Sequence, residues 1–123
     1  MKVLRAAASI AVISLAGLAP VNAQEVGGRY QVQGENANGG NYSGVAEISG
    51  TAGGNCAIRW ALVNTPPSQG FCMRQGDVVA AAYRLGNALG LVIYRLGEKG
   101  VLEGTWSVAG TEGVGEERLT PIR

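Results

Sequence analysis

Hydrophobic and polar residues alternate along most of the chain after residue 23, in short segments separated by turns rich in Gly, Asn and Pro. Alternation with a period of two is typical of a strand with one buried face, and no stretch of this region keeps the 3.6-residue period of a helix. The pattern predicts eight strands, near Gly28 to Gln33, Tyr42 to Ser49, Asn55 to Val63, Gly70 to Gln75, Asp77 to Leu85, Ala88 to Leu96, Val101 to Val108 and Glu116 to Ile122.

Short connections between these strands predict a meander. NANGG at 36–40, GTAGG at 50–54, Gly86-Asn87 and GEKG at 97–100 provide the residues that hairpin turns with positive φ require. A meander of seven or eight antiparallel strands removes its exposed edges most simply by closing on itself. We therefore predict a small antiparallel up-and-down β-barrel, with a two-sheet β-sandwich as the alternative.

The first 23 residues have the features of a secretory signal peptide. Lys2 and Arg5 precede an apolar run that is too short to span a bilayer as a stable helix, and Val21-Asn22-Ala23 has small residues where signal peptidase cleaves. We expect cleavage before Gln24, a single domain over 24–123, and no membrane span afterwards. The expected location is the periplasm or the extracellular medium.

Loss of Lys2 and Arg5 leaves 8 basic and 9 acidic residues in a mature chain of about 100 residues. The remaining arginines are scattered singly, so the chain lacks the basic patch that nucleic-acid binding requires. We expect no nucleic-acid partner.

Both cysteines, Cys56 and Cys72, belong to the mature chain. Exported proteins with an even number of cysteines usually oxidise them, and the chain has neither histidine nor a Cys-x-x-Cys motif to support redox or nucleophilic thiol chemistry. We predict a Cys56–Cys72 disulfide, worth about 3 kcal/mol to a domain of this size.

Trp106 lies within the glycine-rich segment LEGTWSVAG at 102–110. If Gly86-Asn87 and Glu98-Lys99 are the centres of two-residue turns, Leu91 lies opposite Trp106 across neighbouring strands. This register predicts an interior face shared by Leu102, Gly104, Trp106, Val108, Leu89, Leu91, Ile93, Ala80 and Ala82.

Trp60 is also predicted to face the interior, because it alternates in phase with Cys56, Ile58 and Leu62. Two interpretations stay open for Trp60 and Trp106. They either plug the lumen, as side chains do in small eight-stranded barrels, or form the wall of a pocket for a small apolar or aromatic ligand.

Arg84 and Arg95 each belong to a YRLG segment, and the same register places them on the Trp106 side. An arginine that points into a barrel must either form an ion pair or lie at an opening that contains water. The expected alternatives are a salt bridge to Glu116 or Glu117, or contact with a ligand.

The opposite face of the same hairpin is then predicted to expose the apolar residues Val79, Ala81, Tyr83, Val92 and Tyr94. An exposed apolar strip indicates self-association or a protein partner, unless a loop covers it. Val79, Tyr83, Val92 and Tyr94 are the candidate interface residues.

Catalytic motifs are missing from the sequence. The chain has no histidine, one aspartate and no Gly-x-Ser-x-Gly, which excludes a Ser-His-Asp triad and histidine-based metal sites. The glycine clusters do not form a phosphate-binding loop before a helix. We expect no catalytic residues, no metal and no cofactor.

Several segments of the chain resemble a group of small exported alphaproteobacterial proteins, some of which are labelled fibronectin-binding protein. The resemblance rests on GRYQVQGENANGGNYSGVAEI, CAIRW, GFCMR, AAYRLG, GLVIYRL, LEGTWSVAG and GVGEERLTP, and it covers nearly the whole mature chain. It implies an exported β domain whose two cysteines and C-terminal tryptophan motif fall at Cys56, Cys72 and Trp106, with no enzymatic activity attached.

Three functional hypotheses follow. The first is an exported non-catalytic binding module of the cell envelope, with either a small ligand or a protein partner. The second is a surface adhesin of the fibronectin-binding kind, and the third is an envelope structural protein that forms homo-oligomers.

Overall fold

A computed structural model describes residues 25–50 and 54–123, so the predicted signal peptide lies outside the described residues. Eight strands follow one another along this part of the chain. They are β1 (Gly28–Glu35), β2 (Asn41–Gly50), β3 (Asn55–Leu62), β4 (Ser68–Gln75), β5 (Val78–Leu85), β6 (Ala88–Leu96), β7 (Leu102–Val108) and β8 (Gly115–Pro121). All eight predicted strands are present, and the fourth begins two residues earlier than predicted, at Ser68.

The strands form one closed barrel in which each strand pairs antiparallel with its sequence neighbours and β1 also pairs with β8. The predicted up-and-down barrel is therefore confirmed over the sandwich. Closure satisfies the outer hydrogen-bonding groups of the first and last strands, which would otherwise be exposed edges.

Alternation along the strands separates a packed lumen from the outer surface. In β3, for example, Cys56, Ile58 and Trp60 are buried, whereas Ala57 and Arg59 between them are exposed. The packed core comprises Tyr30, Val32, Ala46, Ile48, Cys56, Ile58, Trp60, Cys72, Val79, Ala81, Val92, Tyr94, Leu102 and Leu119.

The predicted disulfide between Cys56 and Cys72 is confirmed. The two residues lie directly opposite each other on β3 and β4, with their Cα atoms 4.9 Å apart, and both are buried in the lumen. The bond therefore links β3 to β4 on the lumen side of the barrel.

The connection between β6 and β7 differs from the predicted two-residue turn. A short 3-10 turn at Glu98–Gly100, with Lys99 at φ 60°, pairs Leu96 with Leu102 instead of Val101. Trp106 consequently lies opposite Val92. A slip of one residue moves every side chain of one strand to the opposite face relative to its partner, so the predicted grouping of interior residues is wrong for β5 and β6.

Trp106 does point inward, but the residues that accompany it are those predicted to lie outside. Val79, Val92 and Tyr94 are fully buried in the lumen, and Tyr83 is partly buried against the core. The predicted outer interface formed by Val79, Tyr83, Val92 and Tyr94 is therefore wrong. The cause is the length of the β6–β7 turn.

The outer face of β4, β5 and β6 is apolar nonetheless. Phe71 and Leu91 both flank Ala82 across neighbouring strands, and their side chains remain 61% and 58% exposed. We call this surface the outer apolar face; it consists of Phe71, Met73, Ala80, Ala82, Leu89, Leu91 and Ile93.

Candidate functional site

A cavity of about 180 Å³ opens at one end of the barrel. It lies at the end where β1 joins β2, β3 joins β4 and β5 joins β6, because Asn36 and Thr65 of the first two connections and Leu85 at the end of β5 line it. The lining residues are Asn36, Tyr42, Trp60, Leu62, Thr65, Ser68, Tyr83, Leu85, Val92, Tyr94, Trp106 and Glu117.

Glycines on neighbouring strands make room for the aromatic rings at this end. A Cβ atom at Gly115 would lie 2.2 Å from the Trp106 ring, and one at Gly90 would lie 2.3 Å from the Tyr83 ring. In both cases the glycine is the cross-strand partner of the aromatic residue. Each ring therefore lies across the backbone of the adjacent strand, an arrangement that no larger residue permits.

The aromatic side chains form two pairs around the cavity. The Trp60 and Tyr83 ring centroids lie 5.3 Å apart with an interplanar angle of 59°, and those of Tyr42 and Trp106 lie 6.3 Å apart at 63°. Both geometries are within the range of favourable aromatic contacts. The rings thus hold one another in position before any ligand arrives.

Glu117 on β8 contributes a carboxylate to the cavity, although its side chain is largely buried, with only 7% exposure. Three groups donate hydrogen bonds to it. The Tyr42 hydroxyl donates to Oε1 at 2.7 Å, while the Trp60 indole N–H and the Tyr94 hydroxyl donate to Oε2 at 2.9 Å and 2.5 Å. These bonds compensate for burying the carboxylate away from water.

The strand register explains why two tyrosines on non-adjacent strands reach the same carboxylate. Glu117 has Gly34 of β1 as its partner on one side and Gly104 of β7 on the other, and these glycines pair in turn with Tyr42 and Tyr94. The five residues form one continuous row across five strands. Because neither glycine has a side chain, both phenol rings extend over them to Glu117.

The tyrosine hydroxyls near Glu117 are held in their neutral form. Burial, followed by the negative charge of Glu117, raises the pKa of Tyr83 to about 12 and also raises the pKa values of Tyr42 and Tyr94 well above the ordinary tyrosine value. The hydrogen bonds that Tyr42 and Tyr94 donate to Glu117 act in the same direction. These phenols are therefore hydrogen-bond donors at neutral pH.

Among the described residues, no group accepts a hydrogen bond from the buried indole nitrogen of Trp106. An unsatisfied buried N–H costs free energy, so an acceptor that reached it would gain a hydrogen bond.

Of the four predicted ligand-binding residues, the structure brings Trp60 and Trp106 together in one cavity. Arg84 and Arg95 were predicted on the same side, and this placement is wrong. Both are exposed on the outer surface, where Arg95 forms a salt bridge to Asp77 at 3.3 Å. The slip of register at the β6–β7 turn accounts for this correction as well.

Tyr42, Tyr83, Tyr94 and Glu117 are site residues that sequence reasoning missed or assigned elsewhere. The sequence indicates Glu117 only as a possible salt-bridge partner of Arg84 or Arg95. The position of Leu119 could have located it. Leu119 is an apolar residue expected in the core, and residues two positions apart on a strand share a face, so Glu117 points into the lumen as well.

The cavity is lined by aromatic rings and by one carboxylate, Glu117, which accepts hydrogen bonds from Tyr42, Trp60 and Tyr94. Among residues 25–50 and 54–123, no group of three or more His, Cys, Asp or Glu side chains is arranged to hold a metal ion. The same residues include no helix long and apolar enough to cross a membrane.

No family model matches the chain, and no curated protein matches it. Among solved structures, the chain is similar to a redesigned β-barrel, with a TM-score of 0.66 and 14% sequence identity over 80% of this chain and 92% of the other. At this identity the likeness concerns the fold alone. The resemblance to exported alphaproteobacterial proteins and the fibronectin-binding label stays a prediction.

Replacing Glu117 with Ala is expected to lower the free energy of unfolding by about 3 kcal/mol, because the donors of Tyr42, Trp60 and Tyr94 lose their common acceptor. Urea denaturation measures the change. Glu116→Ala is the matched control, since Glu116 is exposed on the other face of β8 and should change stability by no more than about 0.5 kcal/mol. Equal effects of the two substitutions would contradict the role of Glu117.

Stability is expected to fall in alkaline solution as the tyrosines of the unfolded chain ionise. Tyr42, Tyr83 and Tyr94 have raised pKa values in the folded protein, whereas the same residues have a pKa of about 10 in the unfolded chain. Keeping their protons favours no state below a pH of about 10, where both states are protonated and the stability is at its full value. Above this pH the unfolded chain releases protons first, so stability is lost as the pH rises toward about 12 and beyond. Urea denaturation at several pH values measures the loss, and ultraviolet absorbance counts phenolates. Ionisation of all four tyrosines near pH 10 in the folded barrel would contradict it.

Proposed function

We propose that the protein is an exported, non-catalytic binding module whose small ligand enters the open end of the barrel and contacts Trp60, Trp106 and Tyr83. The observation that carries this proposal is the cavity itself. Aromatic walls and the Glu117 carboxylate converge on it. Concave sites of this kind, mainly apolar with a few placed polar groups, are typical of ligand binding.

The size of the cavity supports a small ligand. Its volume of about 180 Å³ is somewhat larger than the cavity of about 150 Å³ that admits benzene in an engineered protein core. A single ring with a short substituent fits such a space. Plugging by side chains, the alternative for Trp60 and Trp106, would leave the barrel filled to the rim.

Binding without catalysis is supported by the state of the polar groups. Glu117 accepts three hydrogen bonds from the protein. The phenols around it are protonated at neutral pH, as a tyrosine with a pKa of about 10 is, and their raised pKa values move them further from ionisation. A general base needs a pKa near the working pH, and none of these phenols has one.

Export is supported by the sequence of residues 1–23 and by the Cys56–Cys72 disulfide, which is a bond that persists in oxidising compartments. The periplasm and the extracellular medium are the two locations consistent with this proposal. Fractionation of the natural host separates them.

The ligand proposal is tested by native mass spectrometry of the mature chain, purified without denaturation from the exporting host. We expect a retained small molecule, and its removal should change tryptophan fluorescence because both tryptophans of the chain line the cavity. The Trp106→Phe variant should retain less of the molecule, whereas a substitution on the far outer wall, Gln33→Glu, should leave retention unchanged. A bare wild-type chain that also binds no added small aromatic molecule would contradict the proposal.

Self-association is a second candidate, favoured by the outer apolar face. Phe71, Leu91 and Ile93 are each more than half exposed. Two copies related by a two-fold axis could pack these residues against each other, with the exposed Arg84, the cross-strand partner of Leu89, at the edge of the contact. An adhesin would have to use the same face, because the eight described strands leave no unpaired edge for strand addition.

Sedimentation equilibrium tests self-association. The wild-type chain should show a dimer mass at micromolar concentration, and Leu91→Glu should give monomers because each copy then buries a carboxylate. Gln33→Glu introduces the same charge on an already polar strand and should remain dimeric. A wild-type monomer at all concentrations would overturn this candidate.

A further inference from the structure

We propose that the cavity selects a small organic cation, with an ammonium or guanidinium group on a compact ring or apolar body. This inference rests on the proposed ligand-binding function and specifies the class of ligand. It is argued from the charge inside the barrel, the arrangement of the hydrogen bonds and the aromatic walls.

The charge of Glu117 is not balanced by a basic side chain in the cavity. The lining residues include no Lys or Arg, and the chain contains no His. Along the described strands, the ion pairs Arg59–Glu47, Arg95–Asp77 and Arg118–Glu103 all lie on the exposed outer surface. The cavity lining thus carries one negative charge and no positive charge, in surroundings of low polarity where charges interact more strongly than in water.

The hydrogen bonds to Glu117 leave capacity for a ligand. A carboxylate has about four lone-pair directions, and the protein donors Tyr42, Trp60 and Tyr94 occupy three of them. A cationic N–H donor can use the remaining direction. An anion would instead meet the negative charge of Glu117 at short range, so the site discriminates by charge sign.

The aromatic walls favour the same ligand. Trp60 and Tyr83 on one side of the cavity and Tyr42 and Trp106 on the other present four rings to one space. A cation within about 6 Å of a ring centroid is attracted to the negative face of the ring, and Trp is the strongest partner. The rings are also held in position by their glycine neighbours, which reduces the entropy lost on binding.

The test compares three probes of matched size with the folded wild-type protein at neutral pH: benzylammonium, benzyl alcohol and benzoate. Tryptophan fluorescence and titration calorimetry measure their dissociation constants. We expect benzylammonium to bind about tenfold more tightly than benzyl alcohol, a difference typical of a partly desolvated cation among aromatic rings. Benzoate should bind most weakly.

Glu117→Gln tests whether the carboxylate causes this preference. The substitution removes the charge and keeps an amide of similar shape, so the ratio of benzylammonium to benzyl alcohol affinity should fall to within about threefold of unity. Glu116→Gln removes one charge from the exposed face of β8 and should leave the ratio within about twofold of the wild-type value. The comparison of probes on the wild-type protein stands even if Glu117→Gln does not fold.

The outcomes separate this inference from the proposed function. If benzyl alcohol or benzoate binds as tightly as benzylammonium, or if the molecule retained in native mass spectrometry is neutral or anionic, the cavity is a binding site but the cation inference is wrong. If no probe binds and the purified chain is bare, both proposals fail.

Discussion

The open end of this barrel depends on the hydrogen bonds around one buried carboxylate. Glu117 on β8 accepts donors from Tyr42 on β2, Trp60 on β3 and Tyr94 on β6, so one side chain connects four strands across the lumen. A buried carboxylate without donors would be costly, and the donors without Glu117 would be unsatisfied in turn. The orientation of the aromatic walls follows from this mutual requirement.

Glycines make the arrangement possible. Gly34 and Gly104 flank Glu117 in the same cross-strand row, and each leaves its neighbouring tyrosine free to lie across the backbone. Gly115 does the same for Trp106. Bulky rings opposite glycines keep the total side-chain volume of a narrow barrel within bounds, and they leave a cavity where small residues and aromatic residues alternate at the rim. The Cys56–Cys72 disulfide lies toward the opposite end, at the start of β3.

The barrel therefore presents two surfaces with different chemistry. Inside its mouth, aromatic rings surround a single negative charge, and these features support binding of a small cationic molecule. Outside, the apolar face of β4, β5 and β6 contrasts with the paired charges on the other strands, such as Arg118 with Glu103. A ligand in the mouth would contact Tyr83 and Val92, whose strands also carry the outer apolar face, so the two surfaces share β5 and β6.

Alternation and turn composition by themselves determined the eight strands and their order as a meander, because period-two patterns and short glycine-rich connections are local properties of the chain. They favoured a barrel but left a sandwich open, and only the pairing of β1 with β8 decided closure. They also placed Trp60 inside, and the even number of cysteines in a chain with an export-like leader predicted the Cys56–Cys72 disulfide. Only the tertiary structure decided the register across the β6–β7 turn, where Lys99 in a left-handed conformation shifts the pairing by one residue and moves Arg84 and Arg95 to the outside. It alone brought Glu117 beside Tyr42, since these residues are 75 positions apart and meet through the pairing of the first and last strands. Local patterns indicate which residues share a face of one strand, but the contacts of a binding site depend on how several strands align, and that alignment is a property of the whole barrel.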